Sequence, residues 1–170
     1  MLMKNHIYLS LVIALMVSSM SCAPRQGGPP SGGTPRDGQL ARRVLLNFLE
    51  SLHNGNYDEA AQLYGGSYET MMDHNPATNR EDRAALLRNA CVVNGGQCLE
   101  MRSAGLDRKV SNKEFVFKAD FSNADGTLFV LGPCCGASEA DSPSRSIFRF
   151  TVMKTGQDKF VVMDMPPYAP

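Results

Sequence analysis

The cysteines are the residues of this 170-residue chain that offer the most varied chemistry. Cys134 and Cys135 are adjacent, Cys91 and Cys98 precede them, and Cys22 stands apart near the N-terminus. Structural zinc prefers ligand pairs separated by about two to four residues, whereas six residues separate one pair here and none separates the other. The spacing favours disulfides over zinc, with a thiol redox couple or free thiols as alternatives. We predict neither a metal nor a cofactor.

The N-terminus has the features of a secretory signal. Lys4 is followed by a mostly apolar run over residues 7–17, which is much shorter than the roughly 20 residues of a transmembrane helix. Residues 19–22, Ser-Met-Ser-Cys, resemble the lipobox of bacterial lipoproteins. That resemblance implies diacylation of Cys22 and a protein held on the extracytoplasmic side of an envelope membrane by its lipid anchor. Ordinary cleavage after Ala23 is the alternative.

Export would place the remaining four cysteines in an oxidising compartment, where an even number predicts two disulfides. Adjacent Cα atoms lie about 3.8 Å apart, too close for relaxed disulfide geometry. The pairing of Cys91 with Cys98 and of Cys134 with Cys135 is therefore the least expected of the three. A cross-link spanning about 44 residues would contribute roughly 4 kcal/mol, against roughly 2.5 kcal/mol for the eight-residue loop between Cys91 and Cys98. We expect Cys91 and Cys98 each to form a disulfide with one of the two adjacent cysteines, and the sequence does not decide between the two possible arrangements.

The chain divides into three predicted regions. Residues 1–21 form the signal, residues 22–38 are rich in Pro and Gly and form a flexible tether, and residues 39–170 form one folded domain. Without the signal, which carries Lys4, the net charge is −1. Neither nucleic acid nor an acidic lipid surface is an expected partner of so balanced a chain.

Hydrophobic periodicity predicts helices in the first half of the domain and strands in the second. Apolar residues recur every three or four positions early in the domain, whereas the phenylalanines at 115, 117 and 121 alternate with Glu114, Val116, Lys118 and Asp120. Helices followed by an antiparallel meander define an α+β fold, with the helices on one face of a curved sheet. The predicted helices cover 40–52, 56–64, 67–74 and 78–95, and the predicted strands cover 99–106, 114–121, 127–131, 148–152 and 160–163.

Residues 44–52 and 55–64, VLLNFLESL and GNYDEAAQLY, resemble the opening of nuclear transport factor 2-like domains. In that family Tyr57, Ala60 and Tyr64 would be packing positions between helices. The resemblance implies a cystatin-like cone, in which a cavity lies between the helices and the concave face of the sheet. The superfamily includes ketosteroid isomerase, scytalone dehydratase relatives and many small lipoproteins of unassigned role.

Two residues are candidate catalytic groups for such a cavity. Asp164 is in step with the apolar residues of the last predicted strand, and Tyr64 ends the second helix. His74 beside Asp73 is a weaker acid–imidazole pair, and Asp120 is expected to face solvent because it alternates with the phenylalanines. The chain has neither a Gly-x-Ser-x-Gly elbow nor a Gly-rich phosphate loop.

These observations favour a non-enzymatic binding or interaction module anchored to a membrane. Its expected partners are a small apolar ligand or another envelope protein, and a homodimer formed through the sheet is possible for such domains. The alternative is a small cavity enzyme of the ketosteroid isomerase or dehydratase type, which would use Asp164 and Tyr64.

Overall fold

The computed structural model describes residues 35–169, so the predicted signal, Cys22 and most of the predicted tether lie outside the described residues. Four helices precede four strands, which confirms the α+β class. The strands form one antiparallel sheet in the order β1-β2-β3-β4. The helices are α1 Pro35–His53, α2 Tyr57–Leu63, α3 Glu69–His74 and α4 Arg83–Val92; the strands are β1 Glu100–Lys109, β2 Glu114–Ser122, β3 Phe148–Lys154 and β4 Phe160–Val162.

Helix α1 begins inside the range predicted as tether. Pro35 occupies its first position, where the missing N–H costs nothing because the first amides of a helix have no partner within it. Asp37 in the first turn is only 8% exposed and accepts a hydrogen bond from Lys154 Nζ at 2.8 Å. This ion pair joins the start of α1 to the end of β3, a contact that Pro/Gly content alone does not reveal.

The helices bury one side against the sheet and against one another. Ala41, Leu45, Phe48 and Leu52 form the buried stripe of α1, at the spacing that the sequence predicts. Helix α4 starts later than the predicted range of 78–95, because Asp82 caps it. The carboxylate of Asp82 accepts from the amide of Ala85 at 2.9 Å.

The sheet presents a phenylalanine-rich face to the helices. The aligned pairs Phe117–Phe150 and Phe115–Val152 lie across β2 and β3, and these side chains are at most 1% exposed. The alternation in β2 that predicted this face is confirmed. Each fully buried side chain of this size contributes about 1.5–3 kcal/mol to folding, so the face supplies much of the domain's hydrophobic stabilisation.

The predicted strand over residues 127–131 does not form. Strand β2 pairs with β1 along its length and with β3 over residues 114–119, so only residues 120–122 are left for a hairpin partner. What remains are two isolated bridges, Ser122–Leu128 and Leu131–Arg145. Cys134 and Cys135 therefore lie in a long exposed connection between β2 and β3 rather than at a strand end.

The opposite face of the sheet carries an ion cluster centred on Asp107. Its carboxylate accepts from Lys118 Nζ at 2.5 Å and from Arg149 Nε at 3.1 Å, so it connects β1, β2 and β3. The hydrogen bond from Lys118, followed by that from Arg149, lowers the pKa of Asp107. The cluster faces solvent, where such pairs are individually weak.

The segment after β4, residues 163–169, is docked against the turn that follows α4. The amide of Gln97 donates to Pro167 O at 2.8 Å, and that of Ala169 donates to Gly95 O at 3.0 Å. Pro166 and Pro167 are buried. Gly95 has φ +83°, and a Cβ there would collide with the carbonyl of Ala169. The close approach of two backbones holds the segment in place.

Candidate functional site

A cavity of about 540 Å³ lies where the ends of α2, α3 and α4 meet the segment after β4. Its volume falls within the range of about 300–1,000 Å³ that is typical of small-ligand sites. Its walls are mainly apolar and include Met71 from α3, Ala90 from α4, and Met163 and Met165 from the docked segment. Tyr64 and Asp164, the two candidates predicted from sequence, both line it.

Tyr64 is held rigidly at the end of α2. Its ring stacks on Phe48 with centroids 5.7 Å apart and meets Tyr68 edge-on at 5.1 Å. Its hydroxyl donates to Ser67 O at 3.1 Å. Burial, with smaller contributions from Tyr68 and Asp164, raises the pKa of Tyr64 to about 12. The phenol is therefore a proton donor at neutral pH and cannot serve there as a base.

Asp164 lines the cavity but also completes the sheet. Its Oδ2 accepts from the amide of Thr151 at 2.6 Å, directly beyond the end of the β3–β4 pairing. The next backbone contact, from Met163 N to Thr151 O at 2.9 Å, holds the segment in register. One carboxylate oxygen is thus a structural acceptor, because without it the Thr151 amide would lose the partner it has here.

The other candidate acids and bases do not converge. His74 lines the same cavity, but Asp73 lines a different hollow beside Pro76, so the predicted acid–imidazole pair does not share a site. Asp120 was expected to face solvent, but one of its two carboxylate oxygens does not. Its Oδ1 is buried and has no hydrogen-bond partner among the described residues. Its position on β2 is far along the chain from the cavity-lining segments, and it is not a lining residue.

The disulfide prediction is wrong in its pairing. Cys91 is bonded to Cys98, with Cα atoms 5.5 Å apart, and Cys134 and Cys135 are exposed free thiols. The reason is local: Cys91 lies in the last turn of α4, and the Gly95–Gly96 turn brings the chain straight back past it. A Cβ on Gly96 would lie 2.6 Å from Ala90 O, which shows how close the two segments run. The loop-entropy argument that favoured the longer cross-links describes only the unfolded chain, and it takes no account of how close Cys91 and Cys98 lie in the folded one.

Several cavity residues have no signal in the sequence that points to a site. Met71, Met163 and Met165 are apolar residues of the kind that fill any core, and Tyr168 lies in a Pro-rich stretch without helix or strand periodicity. Tyr68, which packs on Tyr64, has a buried hydroxyl without a hydrogen-bond partner among the described residues. Tyr68 lies just before α3 and Tyr64 just after α2, so no helical period in the sequence relates the two rings.

Within residues 35–169, no cluster of three or more His, Cys, Asp or Glu side chains could hold a metal ion. The same residues include no helix long and apolar enough to cross a membrane. Comparison of the chain with protein-family models, with curated proteins and with solved structures finds no match. The site must therefore be interpreted from its own geometry.

Proposed function

We propose that this protein is an envelope lipoprotein whose folded domain binds a small, mostly apolar ligand without transforming it. The proposal combines a lipid anchor at Cys22, a short Pro/Gly-rich tether and the cavity described above. A four-stranded antiparallel meander with helices on one face also supports the nuclear transport factor 2-like, cystatin-like cone inferred from residues 44–64.

The observation that carries the proposal is a mainly apolar cavity in which the Tyr64 hydroxyl and one oxygen of Asp164 are already hydrogen-bonded within the protein. The Tyr64 hydroxyl donates to Ser67 O, and one oxygen of Asp164 accepts from Thr151 N. A catalytic base needs a lone pair directed at the substrate. The methionine-lined walls instead offer adaptable apolar contact, which suits recognition of a ligand by shape.

The natural absence of Trp from the chain allows a direct test. Thr70 is exposed and lines the cavity mouth, whereas its neighbour Glu69 is exposed and is not a lining residue. We expect lauric acid, used as an apolar probe that does not absorb indole emission, to shift the indole emission of T70W to shorter wavelength by excluding water from the cavity mouth, and to leave that of E69W unchanged. Equal responses from the two variants, or the absence of probe binding, would contradict a ligand-binding cavity.

The lipid anchor needs its own measurement. Intact mass of protein extracted from membranes should show acyl chains on the wild type and none on Cys22→Ser. A wild-type mass without acyl chains would refute the anchor while leaving the cavity proposal standing.

A cavity enzyme is the second candidate, because Tyr64 and Asp164 line one cavity as the ketosteroid isomerase resemblance implies. In that reaction type the second oxygen of Asp164 would move a proton while Tyr64, protonated at neutral pH, would donate to the developing enolate. A β,γ-unsaturated steroid ketone is the probe, followed by the absorbance of its conjugated product. Turnover that is lost in D164N, which keeps an acceptor for Thr151, would establish the enzyme. Identical absorbance traces with and without protein would exclude this chemistry.

A further inference from the structure

The adjacent cysteines sit in a tight turn inside the β2–β3 connection. The amide of Ala137 donates to Cys134 O at 3.0 Å, and Cys135 and Gly136 have φ of +60° and +81°. A four-residue turn with two central left-handed residues is type I′, which favours Asn or Gly at those positions. Among the described residues, Cys135 is the single non-glycine with positive φ. A cysteine is thus held in a conformation that disfavours it.

This turn brings the two sulfurs together. The thiol of Cys135 donates a hydrogen bond to the sulfur of Cys134, with the two sulfurs 2.9 Å apart, and both side chains are exposed. Backbone hydrogen bonds between Leu131 and Arg145, 2.9 Å in each direction, close the base of the loop. Since Cys91 and Cys98 are bonded to each other, the adjacent pair has no other cysteine partner within the described part of the chain.

We propose that Cys134 and Cys135 are a reversible dithiol–disulfide site that exchanges electrons with external disulfides. The thiolate of Cys134 attacks an external disulfide, forms a mixed disulfide and releases one thiolate. The thiolate of Cys135 then attacks the sulfur of Cys134, closes the adjacent S–S bond and expels the second external thiolate. The two cysteines lose two electrons and two protons, and the external disulfide is reduced to two thiols.

The contact between the two sulfurs favours one order of attack. The thiol of Cys135 is close enough to donate a hydrogen bond to the sulfur of Cys134, across a sulfur–sulfur distance of 2.9 Å. The same hydrogen bond, with the charge of Cys134 as a smaller cause, raises the pKa of Cys135. Cys134 is therefore the attacking thiol, and Cys135 is the thiol that resolves the mixed disulfide.

The two cysteine pairs should differ in how easily they are reduced. The Cα atoms of Cys91 and Cys98 are 5.5 Å apart, inside the normal disulfide range. Adjacent residues are held at about 3.8 Å, so a bond between Cys134 and Cys135 is strained. Strained, exposed disulfides are the labile ones. The chain thus carries one structural bridge and one reversible pair.

Trypsin separates the pairs cleanly, because residues 89–102 contain Cys91 and Cys98 and residues 119–145 contain Cys134 and Cys135. The full-length chain is equilibrated in glutathione buffers of increasing oxidised fraction, alkylated and digested for mass spectrometry. We expect peptide 119–145 to pass reversibly from two alkylated thiols to none, without bound glutathione. Peptide 89–102 should stay bridged throughout.

The single variants test the order of attack. Cys135→Ser should retain glutathione on Cys134, because the resolving thiol is missing, whereas Cys134→Ser should form much less adduct. Both substitutions lie in an exposed loop, and an intact bridge in peptide 89–102 reports that the domain is folded. Equal adducts in the two variants would overturn the assigned roles. A wild-type peptide 119–145 that stays fully alkylated, keeps glutathione, or is linked to peptide 89–102 or to a second copy would overturn the site.

Discussion

Asp164→Ala provides a quantitative test of the dual position of Asp164 in the cavity wall and the sheet. The variant removes the acceptor of the Thr151 amide, a bond of 2.6 Å to a partly buried carboxylate. Hydrogen bonds to charged groups contribute about 1.5–3 kcal/mol, so we expect a loss of about 2 kcal/mol in the free energy of unfolding. With a denaturant dependence of about 2 kcal/mol per molar urea, the unfolding midpoint should fall by about 1 M.

Two matched variants make this result specific. Asp164→Asn keeps an oxygen for Thr151 N but loses the charge, so it should lose about half as much. Asp158→Ala removes an exposed ion pair with Arg36, in which both side chains are more than half exposed, and should change stability by less than about 0.5 kcal/mol. The assay is urea unfolding followed by circular dichroism. If D164A unfolds at the same urea concentration as D158A, the carboxylate does not support the sheet.

Three further predictions concern ionisation and the disulfide. The pKa of Tyr64 is raised to about 12, so the protonated phenol stabilises the fold fully below pH 10 and progressively less as the pH rises through 12. The urea midpoint of the wild type should therefore fall over that pH window more than the midpoint of Tyr64→Phe. Lys118 lowers the pKa of Asp107, so this carboxylate stabilises the fold above about pH 4 and ceases to do so as the pH falls through its folded pKa. Asp107→Asn should therefore make the free energy of unfolding fall less steeply below pH 4 than in the wild type. The same pH dependence in both proteins would show that the ion cluster does not stabilise the fold. Removing the bridge with Cys91→Ser plus Cys98→Ser should cost about 2.5 kcal/mol for its eight-residue loop; a midpoint equal to that of the wild type would mean that the unfolded chain is already constrained there.

Local pattern is sufficient to predict the parts of the fold that short-range physics controls. The period of two in β2 identifies the buried phenylalanines, and the helical phase identifies the stripe of α1. Asp164 was predicted to line a cavity because it is in step with Phe160 and Val162 on the last strand, and it does so. These residues obey the alternation of their own element, so no distant partner is needed to place them.

What the sequence misses is determined by competition between distant segments. Residues 127–131 have the composition of a strand, but β1 and β3 pair with most of β2 and leave them only the short edge at residues 120–122. The docking of Pro167 and the pairing of Cys91 with Cys98 both depend on the Gly95–Gly96 turn. Both contacts require the close backbone approach that glycine allows because it has no side chain. A pair of glycines adds nothing to the hydrophobic pattern, so that pattern does not predict these contacts.

The docking of residues 163–169 also makes the cavity depend on the order of synthesis. Helices α2, α3 and α4 leave the ribosome long before the segment that supplies Asp164, Met165 and Tyr168. A nascent chain that ends at β4 has every helix and strand of the domain, yet it lacks one wall of its site, and Gly95 O has not yet met the amide of Ala169. The proposed ligand could therefore be bound only after residues 163–169 have docked and completed the cavity wall.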